Sequence, residues 1–150
     1  MKKRLLKWFL IILTIPLIIT GCKKENEYIK ANDYNSNEVI KEVIAIINDK
    51  EYIIRLENNE TAKSFLDILP KEFDMKELNG NEKYIYLDKD LPTNATTPQR
   101  INAGDIMIYG NNCLVIFYKS FDTNYSYTKI GHIDKMPDLD NKDISIIIKK

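Results

Sequence analysis

The spacing of apolar positions along the chain predicts a domain made mainly of short β-strands. Beyond residue 38 most apolar residues alternate with polar ones or form short continuous runs, as strands with one or two buried faces do. Turn-forming residues such as Asn79-Gly80 separate neighbouring runs, which favours hairpins and a barrel over a sandwich. The predicted strands are Val39–Ile47, Glu51–Leu56, Glu72–Leu78, Asn81–Leu87, Ile106–Tyr109, Cys113–Tyr118, Lys129–Ile133 and Ile144–Ile148.

One segment has the periodicity of a helix instead. From Glu60 to Leu69, apolar residues recur at the spacing of a single helical stripe. Asn58 or Asn59 can cap its N-terminus, and Pro70 ends it. Because so short a helix is stable only when its stripe packs against something, we expect it to plug an open end of a barrel.

The stretch from Gly104 to Ile133 combines a hairpin with a long tyrosine-rich loop. Gly110-Asn111-Asn112 separates two runs of β-branched and aromatic residues, which is typical of a tight turn. The loop Lys119–Thr128 leads to a short apolar segment in which Gly131 permits a bend or a close backbone approach. The connection Asp88–Ala103 is also long for so small a domain, and such loops usually line a site or wrap a rim.

Length and charge narrow the class of protein. A chain of 150 residues suits one domain with a modest core. The net charge is zero, but the first seven positions hold four basic residues, so the remainder is mildly acidic. A mildly acidic domain without a basic stripe predicts no nucleic-acid partner.

The N-terminal residues predict a location outside the cytoplasm. A basic leader precedes the apolar run Trp8–Ile19, which as a helix spans ~18 Å, short of the ~30 Å hydrocarbon core of a bilayer. Such a run is typical of a signal peptide. Ile19-Thr20-Gly21-Cys22 ends it and resembles the bacterial lipobox, in which the cysteine thiol receives a diacylglyceryl group. The alternative is an uncleaved membrane anchor with an incidental cysteine, and either arrangement tethers the chain to the outer face of the cell membrane.

These observations divide the chain into three parts. Residues 1–21 are the predicted lipoprotein signal peptide. Residues 22–38 comprise the predicted lipidated Cys22, whose partner is membrane lipid, and a polar tether rich in Lys, Glu and Asn. Residues 39–150 form the predicted barrel domain.

Few residues have the chemistry of a metal or catalytic site. If Cys22 carries lipid, Cys113 is the remaining thiol, and its place among alternating apolar residues favours a buried apolar role over a reactive one. The lone His132 lacks partners at a spacing that supports general-base catalysis. The acidic run 138–143 lacks the glycine and the closing glutamate of a calcium loop. The sequence therefore predicts no metal site, no cofactor and no catalytic residue.

Several blocks of the sequence, taken in order, resemble a known family. They are LENNETAKSFLDILP, MKELNGNEKYIYL, LPTNATTPQRINAGDIMIYGNNCLVIFYKSF and TNYSYTKIGHID. These blocks resemble the bacterial cyclophilin-like domain of unknown function, found in many lipoproteins and cytosolic proteins, and the similarity covers nearly all of Val39–Ile148. The resemblance implies a small closed barrel of about eight strands, with one or two short helices capping its ends. It implies no established activity.

The residues with which true cyclophilins isomerise prolyl bonds are not found in this sequence. Those enzymes use an Arg on one strand, a downstream cluster of Phe, Met and Gln, and a Trp and a His beside the proline pocket. This sequence has no FHR-type or MQGGD-type block, and its one tryptophan is Trp8. Arg55 precedes the helix with no Gln at a useful position, so the resemblance does not carry the isomerase role over.

By analogy with the cyclophilin architecture, we expect a ligand-binding groove beside the loop Ser120–Tyr127. Its aromatic side chains offer a large contact area, and the tyrosines add a polar tip. Glu82, Tyr84 and Tyr86 share one strand face at a period of two, and Arg100 is expected to pair with Glu82 or with an anionic ligand. The candidate ligand-binding residues are Glu82, Tyr84, Tyr86, Arg100, Phe121, Tyr125 and Tyr127. The alternative is that the loop aromatics pack the barrel mouth and that the charged groups are solvated.

The expected function is therefore that of a binding module for a peptide or a small ligand. A peptidyl-prolyl isomerase-like foldase with a non-standard residue set is the alternative. A substrate-binding lipoprotein of a transporter is disfavoured, because one domain of this size lacks the two lobes that close around a ligand.

Overall fold

Eight strands within residues 41–150, the part of the chain that the structure describes, close into an antiparallel barrel in this computed structural model. In chain order the elements of this part are β1 (Glu42–Ile47), β2 (Lys50–Leu56), α1 (Glu60–Leu66), β3 (Lys71–Leu78), β4 (Glu82–Tyr86), β5 (Arg100–Ile101), β6 (Asp105–Tyr109), β7 (Cys113–Phe117), β8 (Phe121–Asp122), β9 (Thr128–Ile133) and β10 (Ile144–Lys149). The order around the barrel is β1-β10-β3-β4-β7-β6-β9-β2. The predicted class, a mainly β closed barrel of eight strands, is confirmed, and the described part contains one α-helix.

Local turn chemistry forms three of the hairpins. Asn48-Asp49 joins β1 to β2, and Asn79-Gly80 joins β3 to β4, with positive φ at all four residues. Positive φ at both central residues suits the right-handed twist of the paired strands, and Asn, Asp and Gly adopt it most easily. Gly110, with φ of 64°, serves the turn between β6 and β7.

The helix α1 packs into the barrel core, as its apolar stripe predicts. The Asn59 side chain accepts a hydrogen bond from the backbone N–H of Ala62 at 2.8 Å, which identifies Asn59 as the N-cap. Phe65 is fully buried and stacks on Phe73 of β3 with ring centroids 6.1 Å apart. The helix ends at Leu66, earlier than the predicted Leu69, and a turn continues the chain to Pro70.

A second apolar cluster lies on the outer face of the barrel. Its buried members are Ile101, Met107, Cys113, Val115, Phe117 and Tyr127. The ribbon of β5 and β8 covers part of this face, because Ile101 pairs with Phe121 and Phe121 packs against the cluster. The two long connections are therefore less irregular than expected, since each contributes a strand to the ribbon and Thr96 also bridges to Tyr127.

One end of the barrel is held by a buried lysine. The Lys83 side chain of β4 has no exposed surface, and its ammonium donates hydrogen bonds to the Glu77 carboxylate and to the carbonyls of Asp140 and Lys142 at 2.6 and 2.7 Å. The Tyr118 hydroxyl donates to the same carboxylate at 2.9 Å. All three ammonium hydrogens thus have acceptors, and the lysine fastens the loop that precedes β10 to the barrel.

Residues 1–40 lie outside the described part of the chain. The predicted signal peptide, the lipidated Cys22, the tether and the domain boundary before residue 39 all fall there and stay predictions. Within residues 41–150, no helix has the length and apolar character needed to cross a membrane.

Candidate functional site

A groove of about 350 Å³ runs over the outer face of β4, β7 and β6. We call it the tyrosine groove, because five tyrosines line it. Its lining residues are Leu78, Asn79, Glu82, Tyr84, Tyr86, Tyr109, Cys113, Val115, Tyr125 and Tyr127.

Strand register explains the shape of the groove. β7 lies between β4 and β6, and Cys113 is directly opposite both Tyr86 and Tyr109. Residues opposite each other in antiparallel strands point to the same face, so two tyrosines stand about 10 Å apart, two strand spacings, with a small side chain between them. The next row has the same form, because Val115 is opposite Tyr84 on one side and Met107 on the other.

The tyrosine rings hold one another in place around this floor. Tyr84 and Tyr86 meet edge to face with centroids 6.0 Å apart. On the other side Tyr109 contacts Tyr125 at 6.1 Å and Tyr127 at 5.6 Å. Edge-to-face pairs add stabilisation beyond the area they bury. The groove walls are therefore preorganised, although Tyr86 and Tyr125 remain 65% and 64% exposed.

Glu82 is the single charged side chain that the described residues, 41–150, contribute to the lining. It is half-buried, and burial, followed by the negative charge of Glu77, raises the pKa of its carboxyl. Burial and then the charge of Glu82 also raise the pKa of the Cys113 thiol and of the Tyr127 hydroxyl. The raised pKa disfavours the reactive thiolate of Cys113, whose buried side chain agrees with the expected apolar role.

Five of the seven predicted site residues line the tyrosine groove: Glu82, Tyr84, Tyr86, Tyr125 and Tyr127. Phe121 lies beside it rather than in it, with its ring 5.6 Å from that of Phe117. The alternative hypothesis was that the loop aromatics pack the barrel mouth. Phe121 and Tyr127 do pack on the barrel, but on its outer wall and not at its mouth.

Arg100 is placed differently from the expectation. Its guanidinium binds the Asp122 carboxylate at 2.9 Å in an exposed ion pair, and it does not line the groove. The expected pairing with Glu82 is wrong, because the β5–β8 register sets Arg100 directly opposite Asp122. Glu82 therefore faces the groove without this arginine.

Four further residues of the lining were not predicted: Leu78, Asn79, Tyr109 and Val115. Cys113 was considered, but as a small buried apolar residue and not as part of a site. The hairpin turn at Gly110 could have placed Tyr109 opposite Cys113, since a short turn sets the register of its strands. The pairing of β4 with β7 has no such local signal, and it is this pairing that completes the groove.

The single histidine belongs to a separate polar cluster. Asp105 is buried and accepts hydrogen bonds from the Asn102 backbone N–H at 2.9 Å and from His132 Nδ1–H and Lys129 Nζ at 3.0 Å each. Burial alone raises the pKa of Asp105, but these hydrogen bonds outweigh it and hold the pKa below its ordinary value. The cluster ties β9 to β6, which is a structural task. Among residues 41–150, no three His, Cys, Asp or Glu side chains are grouped to hold a metal.

The sequence also matches a known family over most of its length. A family model described as a cyclophilin-like family matches residues 45–149, which runs from within β1 to the end of β10. No curated protein and no solved structure is similar enough to count as a match.

Proposed function

Because this chain belongs to the cyclophilin-like family, we propose that its barrel is a non-catalytic module that binds a peptide or a small ligand in the tyrosine groove. One observation carries the proposal: five tyrosine rings converge on a single concave surface of the barrel. The binding hypothesis from the sequence requires Phe121, Tyr125, Tyr127, Tyr84 and Arg100 to converge on one concave pocket. The three tyrosines line this surface, whereas Phe121 and Arg100 lie outside it.

The size and chemistry of the groove support ligand binding. Its volume of about 350 Å³ lies at the lower end of the range for ligand pockets, ~300 to 1,000 Å³. Tyrosine rings bury a large area on contact at a small cost in conformational entropy, and their hydroxyls orient the ligand. Tyr86 and Tyr125 remain largely exposed in the free protein and so offer apolar area for a ligand to cover.

A prolyl isomerase-like foldase is the alternative function, and the groove lining supports it less well. The lining formed by residues 41–150 contains no arginine, glutamine, histidine or tryptophan, the residue types on which true cyclophilins rely. We expect the protein to leave the cis/trans exchange of a proline peptide at its uncatalysed rate. Acceleration of that exchange would favour the foldase instead.

The binding proposal predicts that the exposed tyrosines dominate affinity. On an array of random short peptides, the Tyr86→Ala/Tyr125→Ala double variant is expected to lose roughly tenfold or more of the signal of the wild-type protein, because aromatic anchors usually carry most of the binding energy. Ile147→Ala is the control, since Ile147 is an exposed apolar residue of β10, outside the groove. Equal losses in both variants would contradict the proposal, and the absence of any peptide bound by the wild-type protein would exclude a peptide as the ligand.

We also propose that the barrel is displayed on the outer face of the cell membrane through a lipidated Cys22. The support is the order of features in the sequence: a basic leader, a short apolar run, small residues and a cysteine. In cells fed an alkyne fatty acid, Cys22→Ala is expected to abolish labelling and to release the protein or leave its precursor uncleaved. Cys113→Ala, which removes the other cysteine, is expected to be labelled and processed normally. Normal labelling and processing of Cys22→Ala would exclude the lipid anchor.

A further inference from the structure

We infer that the tyrosine groove selects ligands that carry an alkylammonium group, such as a lysine side chain, with Glu82 as the counter-charge and the tyrosine faces as the walls. This inference rests on the proposed binding function and names the class of ligand. It follows from the charges that surround the groove, the row structure of its floor and the chemistry of its walls.

The distribution of charge in and near the groove is one-sided. As far as residues 41–150 form it, the lining has one carboxylate and no basic side chain. Within residues 41–150, no lysine or arginine forms an ion pair with Glu82, while the neighbouring Glu77 is neutralised by Lys83 and Arg100 by Asp122. The groove therefore repels anions and leaves a half-buried negative charge for which the described part of the chain supplies no cation.

The position of Glu82 suits a ligand that lies along β4. Glu82, Tyr84 and Tyr86 follow one another on one face, roughly 7 Å apart per step. Glu82 is opposite Phe117, one row along from Tyr84 and Val115, so its carboxylate lies on the same face of the sheet as the groove floor. A ligand can thus lay its methylenes over Val115 and Cys113, between the tyrosines, and bring its ammonium to Glu82.

The tyrosine walls of the groove also favour a cation. A tyrosine ring presents a negative face, and an ammonium group within ~6 Å of the ring centroid is attracted to it. A neutral alkyl chain gains the apolar contacts but neither this attraction nor the ion pair with Glu82. We therefore expect the ammonium to raise affinity about tenfold over an isosteric neutral group.

The test compares matched ligands on the full-length protein by chemical-shift titration of the Cys113 and Tyr109 amides. N-acetyl-lysine methylamide is expected to bind with a Kd about tenfold lower than N-acetyl-norleucine methylamide. Glu82→Gln is expected to remove this difference. The variant should remain folded, because burial raises the pKa of Glu82 and its charge therefore opposes folding near neutral pH. Asp74→Asn, an equal change of charge on the exposed face of β3 outside the groove, is the control and should keep the preference.

The possible outcomes separate this inference from the function on which it rests. Equal binding of both derivatives would overturn the inference and leave a groove that binds through apolar contact. A Glu82→Gln variant that retains the preference for the lysine derivative would also overturn the inference. So would the absence of any shift of the groove amides with either derivative. The peptide array tests the binding function separately. Butylamine titrated in parallel distinguishes the sources of the ammonium. Binding equal to that of the lysine derivative supports a free amine, and weaker binding supports a lysine within a peptide.

Discussion

Gly131→Ala is expected to destabilise the barrel by about 3 kcal/mol or more, because the new methyl group would collide with backbone rather than with a movable side chain. A Cβ built on Gly131 lies 2.5 Å from the Arg55 carbonyl oxygen and 3.3 Å from Ile54 Cγ2. Gly131 is opposite Leu56 where β9 pairs with β2, so the strands must separate to admit the methyl group. The measurement is the free energy of unfolding in urea.

Gly110→Ala is the control for this substitution. Gly110 has a positive φ of 64°, but a Cβ there meets no atom within 4 Å. The cost is then that of the left-handed backbone alone, about 1 kcal/mol. A loss at Gly131 no larger than the loss at Gly110 would show that β2 and β9 adjust easily, and would contradict a constraint from the close backbone approach at Gly131.

Lys83→Met is expected to destabilise the protein by about 3 kcal/mol, because it leaves the Glu77 carboxylate, whose side chain is only 15% accessible, and two carbonyl groups without the ammonium donor. Methionine matches the lysine side chain as far as Cε, so the loss reports chiefly the ammonium group rather than a large cavity. Lys76→Met is the control: its ion pair with Asp143 is exposed, with the two side chains 64% and 56% accessible, and such pairs contribute at most about 1 kcal/mol. Equal losses in the two variants would contradict an anchoring role for Lys83.

The loss of folding stability caused by Lys83→Met is expected to depend on pH, because the Glu77 carboxyl titrates. Burial alone raises the pKa of Glu77, but hydrogen bonds from Lys83, Tyr118 and the Gly80 N–H outweigh it and hold the pKa below its ordinary value. A carboxyl with a lowered pKa stabilises the fold above its unfolded pKa and loses that contribution as the pH falls through the folded value. The difference in unfolding free energy between wild-type and Lys83→Met is therefore expected to narrow as the pH falls below about 4.5, the ordinary pKa of the carboxyl in the unfolded chain, and to narrow further through the lower folded value. A gap that widens on acidification would assign the loss to another cause.

Much of the fold could be predicted from local patterns. A period of two identified the barrel strands, and Asn79-Gly80 identified a hairpin, because these signals depend on neighbouring residues. The helix was predicted by its apolar stripe and by Asn59, although it ends one turn early. The ribbon of β5 and β8 was missed, since two-residue strands have no period and each depends on a partner about twenty residues away.

The candidate groove was predicted in part. Alternation along β4 placed Glu82, Tyr84 and Tyr86 on one face, and the family resemblance pointed to the loop that carries Tyr125 and Tyr127. The charge partner predicted for Glu82 was wrong. Arg100 instead pairs with Asp122 on the strand directly opposite, and that strand was not predicted from the sequence. Tyr109 was missed because it becomes a wall only when β4 lies on the other side of β7.

The sequence by itself determined the class of the fold, the eight barrel strands, the hairpin turns and the faces on which side chains lie, since backbone geometry and apolar periodicity act over a few residues. Tertiary structure decided which faces meet. Closure of the barrel brings Tyr86 and Tyr109 to opposite sides of Cys113, leaves Glu82 in the groove without a cation from the described residues, and gives Lys83 its carboxylate. These are contacts between strands distant in sequence, and only the register of the closed sheet selects them.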